Sequence, residues 1–273
     1  MKLSVVLSTY QSPALLERTL HGYRRQRLSP LEIVIADDGS GPETAALLTR
    51  LASELSLELR HVWHEDRGFR KCAILNRAIA EARGDYLVFS DGDCIPWADF
   101  LETHSALARP GFFLSGGYFR LPRETTERLS VGDVAHGRHE DVAWLHRHGL
   151  ERSWRARRLA ASGALARALD LVTPTRATWN GHNASGWKDD LIAVNGFDER
   201  MGYGGEDREL GERLVILGRR GRQIRHRAVV VHQWHERGYV SDEVLRANRR
   251  IRRETARAGI ARTPFGIVKT AAE

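Results

Sequence analysis

Apolar positions along residues 3–90 follow two alternating periods. Short β-branched apolar runs predict buried strands, and the segments between them carry apolar residues at helical spacing, as Leu16, Leu20 and Tyr23 do. Strands that alternate with helices are typical of an α/β fold with a mostly parallel central sheet flanked by helices. The predicted strands are Leu3–Thr9, Leu31–Ala36, Leu57–Trp63 and Tyr86–Ser90, and the predicted helices are Pro13–Gln26, Pro42–Leu55 and Arg70–Ala82.

The rest of the chain is patterned less regularly. Phe112–Leu121 predicts a strand pair or a hairpin, and Ala228–His232 predicts a further strand. Arg123–Arg176 is rich in arginine and histidine and predicts helices packed on the sheet edge, with an Ala/Leu-rich helix at Ser162–Leu171. Asp242–Ala258 predicts a highly charged helix.

Polar clusters follow each predicted strand of the first half. Thr9-Tyr10 follows the first strand, Asp37-Asp38 the second, Glu65–Arg70 the third, and Asp91-Gly92-Asp93 the fourth. In an open parallel sheet, ligands bind beyond the carboxyl ends of the strands. We therefore expect these clusters to form one ligand site along one edge of the sheet.

Asp91-Gly92-Asp93 is the most informative of these clusters. Gly92 lets the backbone bend and adds no side chain between the two acids. Like charges this close raise a carboxyl pKa unless a cation lies between them. Carboxylate oxygens suit Mg²⁺ or Mn²⁺, which also bind substrate phosphates. A polar turn is the alternative for the isolated tripeptide, but the other clusters at the same edge favour a metal held against a diphosphate.

Composition narrows the class of protein. The chain has 273 residues, enough for one large α/β domain, and its two cysteines, Cys72 and Cys94, exclude a disulfide framework. No apolar stretch approaches the length of a membrane span and no export signal is evident, so we expect a cytoplasmic protein. The net charge of +7 favours anionic partners, among them nucleotides, phosphorylated glycans, anionic lipids and nucleic acids.

Two other classes of protein compete with an enzyme that holds a metal against a diphosphate. A nucleic-acid-binding module would suit the basic charge, but acidic clusters at the ligand edge would repel a nucleic acid. A nucleotidyltransferase that makes nucleotide sugars should carry a glycine-rich phosphate loop after its first strand, and residues Ser8–Ser12 contain no glycine. A dehydrogenase is disfavoured for the same reason.

In this order, the motifs resemble those of family 2 glycosyltransferases with the GT-A fold. Ser4–Tyr10 and Ile35–Ser40 resemble the family's first two strand ends, and Asp91-Gly92-Asp93 matches its Asp-X-Asp signature. Gly196–Glu199 followed by Gly204–Asp207 resembles a block of β-1,4-galactosyltransferase-type and bacterial chondroitin-polymerase-type enzymes. The resemblance implies transfer of a sugar from a nucleotide sugar, usually a UDP-sugar, with inversion at the anomeric carbon.

The resemblance also implies roles for individual residues. The general base would be Asp207, with Glu206 beside it positioned for the acceptor. The metal, Mn²⁺ or Mg²⁺, would be bound by Asp93 with Asp91 and His232. The residues implied to contact the nucleotide sugar are Thr9, Tyr10, Asp38, Arg70, Asp91 and Gly92.

Two assignments rest on local chemistry as well. His232 and His235 both follow a β run and differ by three positions, so we expect them to diverge, and His232 matches the family position. Asn183 and Trp187, with Trp179 and His182, are candidates for the acceptor surface, because amides and aromatic faces suit sugar rings.

The resemblance covers about residues 3–235. We predict a single catalytic domain over residues 1–235, with a nucleotide-binding half (1–110) and an acceptor half (111–235), followed by a charged helical tail (236–273). Between Arg123 and Arg176, cations such as Arg152, Arg155, Arg157 and Arg158 accompany Trp144 and Trp154. A solvated charged helix explains this composition. The functional alternative is peripheral docking at a membrane face, where the acceptor would be lipopolysaccharide or another lipid-linked or surface glycan.

Overall fold

The computed structural model of the chain describes residues 1–153, 156–236 and 241–269. Its strands form one sheet of seven and one sheet of three. The strands are β1 (Leu3–Thr9), β2 (Glu32–Asp37), β3 (Leu59–Trp63), β4 (Tyr86–Asp91), β5 (Cys94–Pro96), β6 (Phe112–Ser115), β7 (Gly117–Arg120), β8 (Ala184–Trp187), β9 (Arg220–Gln223) and β10 (Val229–His232).

The larger sheet has the strand order β3-β2-β1-β4-β8-β6-β9. Strands β1 to β4 run parallel, β8 pairs antiparallel with both β4 and β6, and β9 is parallel to β6. The predicted α/β class with a mostly parallel central sheet is therefore confirmed. In the smaller sheet β10 lies between β5 and β7, antiparallel to the first and parallel to the second.

Helices cover both faces of the larger sheet. Successive strand residues point to opposite sides, so the strands contribute apolar side chains to a core on each face. Val6 packs with Ile74 and Leu210 on one face, whereas Val5 and Leu16 belong to the core on the other. The helices are α1 (Pro13–Arg24), α2 (Pro42–Glu54), α3 (Lys71–Glu81), α4 (Phe100–Leu107), α5 (Arg123–Arg128), α6 (Val131–Ala135), α7 (Val142–Arg147), α8 (Gly163–Val172), α9 (Lys188–Ala193), α10 (Glu206–Ile216) and α11 (Asp242–Ala258).

The predicted elements of the first half are confirmed, with ends that differ by at most two residues. One prediction from the second half needs correction. Phe112–Leu121 does contain two strands, but they do not form a hairpin, because β6 joins the larger sheet and β7 the smaller one. A single residue, Gly116, lies between them, and its amide donates to Asn183 O at 2.8 Å.

The described part of residues 123–176 contains helices, as predicted, and several of them pack against the smaller sheet. Leu129, Val134, Trp144 and Leu145 share a core with residues of β7 and β10. Trp144 is buried and stacks on His148, so it is not an exposed aromatic that could contact a membrane. Trp154 and Arg155 lie outside the described residues, as do the side chains of Arg157 and Arg158.

Helix α11, which lies in the predicted charged helical tail (236–273), packs on α10. Arg252 pairs with Glu212, and Asn248 donates to the carbonyls of Gly202 and Gly204. The proposed division of the chain at residue 235 stays a prediction. Among the described residues, none of the helices is both long enough and apolar enough to cross a bilayer.

Candidate active site

Parallel pairing brings the predicted polar clusters together at one edge of the larger sheet. Thr9 pairs with Asp37 on β2, and Ser8 pairs with Asp91 on β4. The amide of Gly92 donates to Ser8 O at 2.7 Å, and a Cβ at Gly92 would lie only 3.1 Å from that oxygen. Close contact between the strand ends therefore explains why a glycine separates the two aspartates.

Asp91 is held by a cation that the motifs did not reveal. Its Oδ1 accepts a hydrogen bond from Ser8 Oγ at 2.6 Å and one from Lys71 Nζ at 2.9 Å. Burial alone would raise the pKa of Asp91, but the charge of Lys71 and these hydrogen bonds hold that pKa well below its usual range. Asp91 is therefore ionised, and its Oδ1 is already engaged.

Asp93 lies beside two histidines rather than one. Its Oδ2 is 3.6 Å from His232 Nε2 and 3.1 Å from His235 Nε2, and the two imidazole rings stack 5.4 Å apart. The predicted divergence of the histidines is wrong, because β10 ends at His232 and strand alternation does not extend to His235. The Nδ1 atoms of His232 and His235 contact backbone carbonyls, of Gln233 at 2.7 Å and of Glu236 at 2.8 Å.

These backbone contacts prepare the histidines to bind a metal. In a neutral imidazole whose Nδ1–H donates to a carbonyl, Nε2 carries the lone pair, and here both Nε2 atoms point toward Asp93. Cys94 also approaches, with Sγ 3.4 Å from Asp93 Oδ1. Burial raises the pKa of the Cys94 thiol, which leaves it a donor to the carboxylate rather than a thiolate ligand.

Asp38 is fixed from two sides at the end of β2. His64 Nε2 lies 2.7 Å from its Oδ1, and the amide of Arg70 donates to its Oδ2 at 2.9 Å. Thr9 is buried nearby and its carbonyl accepts from the Asp38 amide, whereas Tyr10 is half exposed and donates to Asp66 at 2.9 Å. His64 was not predicted, since an isolated histidine after a strand carries no distinguishing sequence signal.

The two acids of the second motif lie at the start of α10. Gly204 and Gly205 have φ values of 104° and 97°, which L side chains rarely adopt, so the chain turns sharply into the helix. The Glu206 carboxylate accepts from the Gly204 amide at 2.7 Å. Asp207 instead presents a buried Oδ1 that has no hydrogen-bond partner among the described residues.

Burial, with the charges of Glu206 and Asp91, raises the pKa of Asp207, and the charge of Lys71 lowers it; the net result is a pKa of about 7. A carboxyl group that titrates near neutral pH can accept a proton and release it again. Lys71 itself stays charged, because Asp91, Asp207 and Glu206 together outweigh the cost of its burial and raise its pKa.

Two cavities meet at Asp207. The first, which we call the aspartate cavity, has a volume of about 670 Å³. The second, the arginine cavity, has a volume of about 1300 Å³, and the two share Tyr118, His182, Gly204, Gly205 and Asp207. The aspartate cavity is lined by Thr9, Tyr10, Asp38, Lys71, Asp91, Gly92, Asp93, Glu206, His232 and His235 among others, and the arginine cavity by Arg120, Arg176, Arg208, Arg225, Arg249 and Arg252.

Two predicted acceptor residues have structural contacts instead. Asn183 is fully buried, and its amide donates to the carbonyls of Gly117 and Ala228. Trp187 packs edge-on against Tyr86 and donates to Arg109 O at 3.0 Å. Neither side chain lines either cavity. Of the other candidates, Trp179 is buried, and His182 lies between the two cavities with its pKa lowered to about 4 by burial.

Comparison with known proteins identifies glycosyltransferases that are similar to this chain. Residues 4–114 match the model of glycosyl transferase family 2. The chain is 31% identical over 229 residues to validoxylamine A glucosyltransferase of Streptomyces hygroscopicus subsp. limoneus, which covers 79% of the chain and 48% of the relative. It is 26% identical over 242 residues to chondroitin synthase of Pasteurella multocida, covering 79% and 23% respectively. The chain thus spans about half or less of these relatives.

Solved structures show the same fold at lower identity. S. aureus TarS 1-349 in complex with UDP-GlcNAc superposes with a TM-score of 0.63 at 17% identity, over 92% of this chain and 65% of that one. The mannosyltransferase PcManGT from Pyrobaculum calidifontis, in complex with GDP-Man and Mn²⁺, superposes with a TM-score of 0.58 at 22% identity. The match covers 94% of this chain and 62% of that one. The predicted resemblance is confirmed: residues 4–114 match the model of glycosyl transferase family 2, and the chain has the GT-A fold.

Proposed function

We propose that this chain is an inverting glycosyltransferase that moves a sugar from a nucleotide sugar, most simply a UDP-sugar, to a glycan acceptor. One observation carries the proposal. The aspartate cavity gathers Asp38, Asp91 and Asp93 at one end of the sheet and opens into the arginine cavity at Asp207. Donor and acceptor thus have separate spaces that meet at a carboxyl group with a pKa near 7.

The donor would occupy the aspartate cavity. Asp38, held rigid by His64 and the Arg70 amide, offers a carboxylate to the nucleobase, and Thr9, Tyr10 and Gly92 line the same wall. The imide N–H of uracil donates a hydrogen bond that a fixed carboxylate can accept. The uridine nucleotide bound by TarS 1-349 supports this choice, although the relative from Pyrobaculum binds GDP-Man.

The residues around Asp93 fit a divalent cation. Asp93 contributes a carboxylate, and His232 and His235 direct their Nε2 atoms toward it. Mixed oxygen and nitrogen ligands favour Mn²⁺ over Mg²⁺, which prefers oxygen alone. When bound there, the metal would neutralise negative charge that develops on the leaving diphosphate. Asp91 is the less direct ligand, because Ser8 and Lys71 already engage its Oδ1.

Asp207 is placed to act as the general base. An acceptor hydroxyl entering from the arginine cavity would meet the buried Oδ1, which has no partner among the described residues. The acceptor hydroxyl oxygen forms a bond to the anomeric carbon while the bond from that carbon to the diphosphate breaks. The hydroxyl proton moves to Asp207. Attack from the face opposite the leaving group inverts the anomeric centre. Glu206, one residue earlier on α10, lines the donor side of the same junction.

Release of free nucleotide tests the proposal. The purified protein is incubated with UDP-, GDP- and dTDP-sugars in the presence of Mn²⁺ or Mg²⁺, and nucleoside diphosphate is quantified. We expect metal-dependent release from at least one UDP-sugar, slow with water alone and faster with an accepted glycan. Salt-sensitive retention on DNA, without release of nucleoside diphosphate from any nucleotide sugar, would contradict the proposal and favour a nucleic-acid-binding module.

A further inference from the structure

The arginine cavity has an unusual charge. Among the described residues that line it, six are arginines from distant parts of the chain and two are acidic, Asp207 and Glu212. The cavity is lined by Arg120 at the end of β7, Arg176, Arg225 in the turn after β9, Arg208 in α10, and Arg249 and Arg252 in α11. Folding therefore concentrates positive charge beside the general base.

Most of this positive charge is not neutralised by the protein. Arg252 pairs with Glu212, with Nε 3.2 Å from Oε2. Over the described ranges 1–153, 156–236 and 241–269, no carboxylate forms a salt bridge with any of the other five arginines of the cavity. The surplus charge is thus available to a ligand.

Arg225 also has a hydrogen-bond donor that the described residues leave unsatisfied. Its Nη1 donates to Thr175 Oγ1 at 3.2 Å, but its Nε is buried and lacks a partner within the described part of the chain. Gln223 Oε1, on the same wall, is also buried and unpartnered there. A buried polar atom without a partner costs stability, which a bound ligand can recover.

We propose that the acceptor is an anionic glycan, bearing carboxylate or phosphate groups that bind the arginines of this cavity. The proposal rests on the proposed function, since it identifies the substrate class of the same site. The planar guanidinium fork matches the geometry of both anions. A neutral glycan would leave the clustered cations facing one another, whereas an anionic one neutralises them and brings its hydroxyl to Asp207.

Binding of anionic and neutral oligomers tests the proposal. The probes are a hyaluronan hexasaccharide with carboxylates, its carboxyl-reduced neutral form, and a glycerol phosphate oligomer with phosphates, each titrated calorimetrically in the presence of UDP and Mn²⁺. We expect at least one anionic probe to bind about tenfold or more tightly than the neutral form, and more weakly as salt screens the charges. The stronger of the two anionic probes identifies the group recognised. Equal affinity of the neutral and both anionic probes would overturn the proposal.

Neighbouring arginines of α11 provide the matched control. Both side chains are exposed, but Arg249 lines the cavity whereas Arg250 lies outside its lining. We expect Arg249→Gln, and more strongly Arg176→Gln combined with Arg225→Gln, to weaken the anionic probe about threefold to tenfold, with Arg250→Gln within about twofold of wild type. Equal weakening by Arg249→Gln and Arg250→Gln would show a general charge effect and overturn the site.

The same titrations separate failure of this inference from failure of the proposed function. If Mn²⁺-dependent UDP binding is present and neither anionic probe binds, the anionic acceptor is ruled out while the transferase proposal stands. If the wild-type protein binds none of UDP, GDP and dTDP in the presence of Mn²⁺, the proposed function itself fails.

Discussion

The Lys71 ammonium lies 2.9 Å from Asp91 Oδ1 and interacts electrostatically with Asp207 across the aspartate cavity. One cation therefore stabilises the ionised form of an acid in the predicted metal motif and opposes the raised pKa of the proposed base. This arrangement links the donor side of the site to its acceptor side through a single side chain at the start of α3.

Removal of the Lys71 charge should change the pH at which activity falls on the acidic side of the pH profile. A carboxylate base must be ionised, so activity falls as pH drops through the Asp207 pKa of about 7. Lys71 stabilises the ionised form, hence Lys71→Met should shift this fall in activity to higher pH, whereas Lys71→Arg keeps the charge and should shift it less. The measurement is kcat/KM against pH for the three proteins. An unshifted fall in activity in Lys71→Met would show that Lys71 does not act on the base.

The contribution of each proposed metal ligand can be measured by titrating UDP into wild type and single variants, with and without Mn²⁺. Asp93→Ala should abolish the gain in UDP affinity that Mn²⁺ provides, because the carboxylate is the group on which both histidines converge. His232→Ala and His235→Ala should each reduce that gain, by about tenfold to a hundredfold if the residue binds the metal. A metal-dependent gain that survives in Asp93→Ala would remove this cluster from consideration.

The raised pKa of Asp207 also predicts how stability varies with pH. The folded state holds this proton to about pH 7, whereas an unfolded aspartate releases it near pH 4. The stability associated with this proton is therefore fully present below about pH 4 and is lost as pH rises to 7. The free energy of unfolding of Asp207→Asn minus that of wild type should therefore be more favourable to the variant at pH 8 than at pH 5. Urea unfolding of both proteins at the two pH values measures this difference. The same difference at both pH values would contradict the raised pKa.

A buried ion pair beneath the site predicts a large cost of substitution. Arg213 and Glu209 are both fully buried, with Arg213 Nε 2.8 Å from Glu209 Oε1, and the guanidinium also donates to the carbonyls of Val194 and Gly196. Arg213→Met would leave Glu209 charged and unpaired, at a cost of about 3–5 kcal/mol in the free energy of unfolding. Arg50→Met, which breaks an exposed pair with Glu17, is the control and should cost much less. Equal losses in the free energy of unfolding for Arg213→Met and Arg50→Met would contradict the claim that burial makes the Arg213–Glu209 pair costly to break.

The first half of the fold was predictable because its signals are local. Each strand from Leu3 to Asp91 shows its own apolar run, and each polar cluster directly follows a strand, so the sheet edge could be inferred without tertiary information. The separation of β6 from β7 could not be inferred, because Gly116 gives no sign that its neighbours belong to different sheets.

The parts of the site that were missed depend on contacts between distant segments. Lys71 follows Arg70 in an ordinary helix start, and only the fold shows that its ammonium meets Asp91 and Asp207. His235 converges with His232 because the chain leaves β10 between them. The arginine cavity combines arginines from positions 120 to 252, and no window of sequence shows them as a cluster.

The role of Asp207 tests the central claim most directly. The measurement compares wild type and Asp207→Asn for Mn²⁺-dependent UDP affinity and for the rate of UDP release at saturating donor and accepted glycan. We predict an unchanged UDP affinity and a release rate lower by about 10²-fold or more, since the amide keeps the shape of the side chain but cannot take the proton. A variant that binds UDP normally and releases it at a near-wild-type rate would contradict the account.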